Sequence, residues 1–368
     1  MKTYAVSITR DLVSINSDPH ESGEKEVAKY INGYLENLGI SSKIIEFEKN
    51  RCNVTASFGH GEGLMLNGHM DTVPLGDATK WKYGFEGTVV NGKVYGRGAS
   101  DMKGGIATIL AALPSIKTNG LKRRLLLTFV ADEEGMLKGS TWLLKNERTL
   151  FKDVKYGIVA EPTDLKIQIA QKGVMEMRIV VNGKSAHSSR PWLGVNAIDG
   201  MAKVIAALDG LSRNMKVNDP LLGKGTINVG EIRGGTASNV VPDFCEILVN
   251  RRLVNGESPG SALSEIDKKV KNLKLSYGIE TLHSQLPYSM RQDSYIIKML
   301  KSMVQGELTI ANGYTEAELY NRMAGIDCAV FGPGTKKNIH APNEYISVSN
   351  LTRGTKYFSE IMGRWLSH

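Results

Sequence analysis

Apolar residues recur at helical spacing over 23–38, where Val27, Ile31, Tyr34, Leu35 and Leu38 fall on one face and predict an amphipathic helix. Short apolar runs follow. "LMLNGH", "LLLTFVADEE", "YGIVAEP" and "CAVFGPG" each pass straight into polar or Gly/Pro positions. Such near-continuous runs read as strands buried on both faces, and the helical stretches 104–116 and 140–147 that separate them predict an α/β sheet covered by helices. At residue 172 the pattern changes. "VMEMRIVV" alternates like a half-exposed strand, and 195–212 forms an amphipathic helix through Val195, Ile198, Met201, Ile205, Leu208 and Leu211. Strand-like "GTINVGEI" and "FCEILVN" follow, then a helix at 261–273 carrying Leu263, Ile266, Val270 and Leu273, then "KLSYGIETLHS". The order βαββαβ describes a ferredoxin-like α+β unit. Segments 1–171 and 284–368 are therefore expected to form one larger domain, closed by a helix at 349–365, into which a smaller domain of residues 172–283 is inserted.

In sheets of the first kind, ligands gather at the carboxyl ends of strands. The residues found there are His69, Asp71, Asp132, Glu133, Glu134 and Glu161, with Asp101 in the loop "GRGASDMKGG" ahead of a helix. His69 and Asp71 stand two apart after an extended run, so their side chains project to the same side, as a ligand and its supporter would. Taken singly these residues have plain readings: a polar strand end, a solvated acidic pair, a strand closed by Pro162. Taken together, Asp71, Asp101, Glu133, Glu134 and Glu161 converge on one crevice, and five carboxylates cannot all stay ionised at close range without cations or protons. Imidazole beside oxygen donors, with no thiol, suits Zn²⁺ first, and Co²⁺ or Mn²⁺, over Ca²⁺. Two divalent ions about 3.5–4 Å apart constitute a hydrolytic centre. A second imidazole is then expected, and "GPGTKKNIHAPNE" supplies His340.

Bulk properties narrow the class. A chain of 368 residues exceeds what one growing core usually holds, which favours two domains. The 41% hydrophobic and 23% charged residues are ordinary globular usage. The opening "MKTYAVSITRDLVSINSD" lacks a continuous apolar segment and "GGIATILAALPSI" is too short to span a bilayer, so a cytoplasmic protein without membrane contact is expected. Cys52, Cys245 and Cys328 are far apart and odd in number, which suits reduced thiols. The net charge of +8 comes from basic residues scattered along the chain, so a solvated basic surface is expected and nucleic-acid binding is not.

The motifs "GHMDTVP", "GRGASDMKGG", "ADEEG", "AEPTD", "KSAHSS", "GGTASNVVPD" and "GPGTKKNIHAPNEY", in this order over nearly the whole chain, resemble those of the di-zinc amidohydrolases and exopeptidases. That family includes acetylornithine deacetylase, succinyl-diaminopimelate desuccinylase, aminoacylase and glutamate carboxypeptidase. The resemblance implies a zinc-peptidase-like catalytic domain with a mixed sheet covered by helices and an inserted ferredoxin-like lid and dimerisation domain. It implies that His69 and Glu161 bind one metal, Glu134 and His340 the other, and Asp101 both, with the peptide after Asp101 in the cis form. Asp71 would hydrogen-bond the second ring nitrogen of His69, and Glu133 would be the general base. His187 would reach a partner subunit's active site and donate to the oxyanion. Asn239 and Arg252 would meet the substrate carboxylate, Arg251 being the competing choice and Asn250 standing where the family usually has an acidic residue. Gly332 and Gly334 read as turn glycines, with backbone approach to substrate as the alternative.

The implied activity is metal-dependent hydrolysis of the amide bond of an N-acyl amino acid, in particular an N-acyl diamino acid of arginine or lysine biosynthesis. "KSAHSSRPWLGVNAI", "YTEAEL" and "GPGT" lie closer to acetylornithine deacetylases than to desuccinylases. The alternatives are a dipeptidase or carboxypeptidase, a deacylase of a carrier-linked amino acid and, from another class, a basic binding protein without catalysis.

Overall fold

The computed structural model describes residues 2–116, 120–304 and 307–367. From the amino end the elements are α1 (Lys2–Ser14), α2 (Lys25–Asn37), β1 (Ser42–Glu48), β2 (Arg51–Phe58), β3 (Gly63–His69), α3 (Lys103–Ala112), β4 (Arg124–Val130), α4 (Lys138–Asn146), β5 (Val154–Val159) and β6 (Ile167–Gln171). Next come β7 (Gly173–Asn182), α5 (Ala197–Arg213), β8 (Thr226–Gly234), β9 (Phe244–Leu253), α6 (Pro259–Lys271) and β10 (Ser276–Gln285). The chain closes with α7 (Tyr295–Met303), α8 (Ala317–Ala324), β11 (Asp327–Val330) and α9 (Val348–Ser367). Two compact units result, one of Met1–Ile169, Met290–Thr309 and Thr315–His368, the other of Ala170–Ser289 and Ile310–Tyr314. Residues 310–314, expected with the larger domain, group with the smaller unit.

In the first unit the strands run in the order β1-β2-β4-β3-β5-β11-β6. β4, β3, β5 and β11 are mutually parallel, with His69 opposite Val130, Asn67 opposite Val159, and Val330 opposite Val159, so their carboxyl ends lie along one edge. The flanking β1 and β2 are antiparallel, which makes the sheet mixed. All seven residues of β3 are buried, as a strand covered on both faces requires. α3 is buried along its whole length and packs within that cover, which explains its apolar composition all round. Inside this core Asn67 Nδ2 lies 2.9 Å from Tyr320 Oη and 3.2 Å from Thr128 Oγ1, while its Oδ1 is buried without a hydrogen-bond partner.

The second unit holds an antiparallel sheet in the order β8-β9-β7-β10. Met175, Met177, Ile179 and Val181 of β7 point into a core with Met201, Val204 and Leu208 of α5 and Ile266 and Val270 of α6, while Glu176 and Arg178 between them face outward. Both helices start on side-chain caps, Asn196 Oδ1 accepting from the Ile198 amide and Ser258 Oγ from the Ser261 amide. This is the ferredoxin-like order expected from the pattern. Among the described residues, no helix is long and apolar enough to cross a membrane.

Candidate active site

The parallel strands deliver the site. His69 closes β3; Glu133 and Glu134 follow β4; Glu161 follows β5; and the loop after β11 leads to His340. Asp101 lies in the turn ahead of α3. His69 is fully buried, with Nδ1 3.0 Å from the Asp71 carbonyl oxygen and 3.5 Å from Asp71 Oδ1. A carbonyl oxygen only accepts, so Nδ1 carries a proton and Nε2 is the atom turned to the carboxylates. Nε2 lies 3.2 Å from Asp101 Oδ1, 3.7 Å from Glu161 Oε1 and 3.9 Å from Glu133 Oε2. The other Asp101 oxygen is 3.3 Å from His340 Nε2, which is 2.9 Å from Glu134 Oε1. Asp101 thus offers one oxygen to each imidazole, and Glu161 Oε1 is buried with no hydrogen-bond partner.

The backbone around these groups is held by carboxylates. Asp71 Oδ1 accepts the Glu133 amide at 3.1 Å and Oδ2 the Glu134 amide at 3.0 Å. The closer partner of the His69 ring is therefore the Asp71 carbonyl, and the Asp71 side chain also fixes the acidic turn, a role that its spacing from His69 does not reveal. Glu344 Oε1 accepts the Ser100 and Asp101 amides at 2.9 and 3.1 Å, and its Oε2 takes Arg97 Nη1 at 2.8 Å. The Asp101–Met102 peptide is cis. Gly332 and Gly334 are glycine through crowding: a Cβ at Gly332 would stand 2.3 Å from the Ala160 oxygen, and one at Gly334 2.2 Å from the Ser100 oxygen. Neither has a left-handed backbone, so the turn reading does not account for them.

Electrostatics set this cluster apart. Burial, then the charge of Glu161, pushes Glu133 well above the usual carboxylate range; burial, then Asp101, does the same to Glu161. Burial opposes protonation of His69, yet its hydrogen bonds to Asp101 and Asp71 and the charge of Glu161 leave it well above an ordinary histidine. Asp101 and Glu134 raise His340 to about 10. Burial would raise Asp101 too, but His340 and His69 outweigh it and hold this carboxylate low. Bound cations would relieve the same crowding of negative charge. Imidazole nitrogens and carboxylate oxygens, without thiols, form a donor set that fits divalent metals, and the ligand atoms of His69, Asp101 and Glu134, and of His69, Glu133 and Glu161, lie within 4.8 Å of one another. A cavity of about 300 Å³ beside Glu134 is lined by His20, Arg51, Thr72, Pro74, Asp132 and Met136, among others.

The remaining expected site residues lie in the second unit. His187 is exposed, and its Nδ1 accepts the Ser189 amide at 3.2 Å, which leaves the ring proton on Nε2 as a donor. Asn239 precedes β9, and its carbonyl accepts the Ser188 amide. Arg252 is half-buried near the end of β9, with Nη1 unpartnered. Its neighbour Arg251 faces the other way into the core, where Nη1 bonds to Met215 and Nη2 to Glu257.

Residues 65–364 match the model of peptidase family M20/M25/M40. An acetylornithine deacetylase of Aliivibrio fischeri is 30% identical over 370 residues, covering 98% of this chain and 96% of that one. Among solved structures, an M20 family metallo-carboxypeptidase from Sulfolobus solfataricus superposes with a TM-score of 0.84 at 22% identity, over 100% of this chain and 99% of that one. A dinuclear metal-binding peptidase of the same family from Bacillus subtilis does so with a TM-score of 0.71 at 18% identity, over 100% and 98%. The chain belongs to peptidase family M20/M25/M40.

Proposed function

We infer that the chain is a metal-dependent hydrolase that cleaves the amide bond of N-acyl amino acids. The observation that carries this reading is the buried cluster of His69, Asp101, Glu133, Glu134 and Glu161, closed by His340, whose charges call for cations. His69 and Glu161 would hold one divalent ion and Glu134 and His340 the second, with Asp101 shared. Zn²⁺ suits the set first, and Co²⁺ or Mn²⁺ also fit. When bound, such a pair acidifies a water molecule and polarises the carbonyl to be attacked.

Glu133 acts as the general base. Its carboxylate is buried and held in a turn whose amides are fixed by Asp71, and burial lifts it above the usual carboxylate range, which strengthens it as a base. As the water oxygen bonds to the carbonyl carbon, Glu133 accepts the water's proton; as the C–N bond breaks, it delivers that proton to the leaving nitrogen. His187, with its proton on Nε2, donates to the developing oxyanion from the partner subunit of a homodimer formed through the inserted unit. The Arg252 guanidinium, whose Nη1 is unpartnered, and the amide of Asn239 receive the substrate carboxylate. Similarity to acetylornithine deacetylases favours an N-acyl diamino acid as substrate. A cytoplasmic location fits such a substrate.

A turnover screen tests the reading: N-acetyl and N-succinyl amino acids, and dipeptides, incubated with Zn²⁺- or Co²⁺-loaded protein. Release of the free amine from N-acyl amino acids is expected; turnover of dipeptides alone makes the chain a peptidase, and no turnover of any amide refutes hydrolysis. The trans role of His187 is tested by subunit exchange between His187→Ala and Glu133→Ala proteins. Recovery of up to about one quarter of wild-type activity is expected for random exchange in an isologous dimer, and exchange without recovery contradicts it.

A further inference from the structure

Glu133 and Glu134 stand on a turn, not on a helix or strand, so something must fix that turn. Asp132 is its hub. It adopts a left-handed backbone with φ 67°, its carbonyl accepts the Leu137 amide at 2.8 Å, and its Oδ2 accepts the Met136 and Lys138 amides at 3.0 and 3.1 Å. Its other oxygen, Oδ1, is held by Arg51 Nη2 at 2.7 Å. Arg51 is in turn gripped by Glu24, Nε to Oε2 at 2.8 Å and Nη2 to Oε1 at 2.9 Å, and Glu24 is fully buried. Two residues further along β2, on the same face, Asn53 accepts the Ala131 amide at 3.0 Å and donates to the Gly139 carbonyl at 3.1 Å. β2 therefore holds both ends and the hub of the 131–139 turn.

We propose that Arg51, anchored by Glu24, is a positioning residue that clamps Asp132 and thereby sets where Glu133 and Glu134 enter the acidic centre. A planar fork is needed for this. One face of the guanidinium edge serves Glu24 while Nη2 also reaches Asp132, a geometry that a lysine ammonium, a point donor on a flexible stem, cannot reproduce. Stability alone does not account for the arrangement, because a buried ion pair is often matched by apolar residues of similar volume. The kinetic half of the proposal rests on the amide-hydrolase reading; the structural half does not. Arg51 also lines the cavity beside Glu134, so direct contact with substrate is the competing role and must be separated by experiment.

The test compares wild type, Arg51→Lys and the charge-neutral pair Glu24→Gln/Arg51→Met, which avoids stranding a buried carboxylate opposite Asp132. Amide hydrogen exchange on the metal-free full chain is the first readout. The Met136 and Lys138 amides should exchange about 10- to 100-fold faster in both variants, the effect of losing a charge-assisted bond, while amides of β3 and α9 keep their rates. Metal-loaded protein should bind the same metal, keep KM within about threefold and lose about 10- to 100-fold in kcat. Unchanged exchange at Met136 and Lys138 overturns the proposal, as does acceleration throughout the unit, which makes the pair merely a stabiliser. Local acceleration with kcat intact overturns the link to Glu133, and a KM change that follows the charge of the substrate makes Arg51 a binding residue. If wild type turns over no amide, the hydrolase reading fails while exchange still decides whether Arg51 holds the turn.

Discussion

Two buried charge clusters of the first unit make opposite use of the same residue types. At Arg51, one guanidinium is shared by Glu24 and Asp132, and the backbone amides of Met136 and Lys138 take up what remains of the Asp132 charge. That cluster is complete within the chain. Around His69 the carboxylates of Asp101, Glu133, Glu134 and Glu161 outnumber the two imidazoles, no Lys or Arg pairs with any of them among the described residues, and Glu161 Oε1 is left unpartnered. Burial of an acidic cluster is tolerable only with protons or cations in place. The difference between the two clusters separates a structural network from a site built to receive something.

The sharpest way to break this comparison is Asp101→Ala. The residue touches both imidazoles, so its loss should release or scramble both ions and lower turnover on the order of 10³-fold or more, since metals contribute several kcal/mol to such reactions. Metal analysis decides it, and a variant that keeps two tightly bound ions contradicts the shared role. Glu133→Gln ranks next. Both ions should stay while kcat falls at least about 10²-fold, as expected for removal of positioned proton transfer.

A third effect is the pH dependence of the metal-free protein. Glu133, Glu134 and Glu161 are raised, and His69 and His340 are raised, the latter to about 10. In each case the folded chain keeps a proton that the unfolded chain has released, so stability is greatest below the ordinary pKa and is lost as pH climbs through the folded value. Asp71 and Asp101 are lowered and act in the opposite sense, but only as pH falls below about 4. The melting temperature of metal-free protein should therefore decline from about pH 5 to pH 9, and its gap to the metal-loaded protein should widen. Parallel curves would mean that the cluster does not hold these protons. The smallest effect is a control: Arg233→Ala removes an exposed ion pair with Glu231 and should leave the melting temperature unchanged.

Much of this was legible in the chain because the signals are local. A buried strand ending in His69, the acidic pair after "LLLTFV" and the alternation in "VMEMRIVV" each sit within one short window, and the structure places them at a strand end, a strand end and a half-exposed strand. Helix limits moved by a few residues: α3 ends at Ala112, where a 3-10 turn begins at Leu113 ahead of Pro114, although the apolar run continues to Ile116. α7 and α8 are nine and eight residues long, too short for periodicity to declare itself, and are held by packing. Ala5, Ile8 and Leu12 recur at helical spacing and are the buried face of α1. The Arg51–Asp132 contact joins residues 81 apart and Arg97–Glu344 residues 247 apart, and no local pattern announces either. The charge on Asp71 pointed to His69 two residues away; its contacts with the Glu133 and Glu134 amides exist only once β3 and β4 lie side by side.

In the proposed hydrolase the surplus of carboxylates around His69 is a place for two cations that make the site hydrolytic. Titration of Co²⁺ into chelator-stripped protein, with turnover of an N-acetyl amino acid followed at each addition, tests it most directly. Binding of two ions per chain is predicted, with no turnover before the first and full turnover by the second. Turnover that persists in excess chelator, or saturation with no ion bound at the cluster, would contradict it.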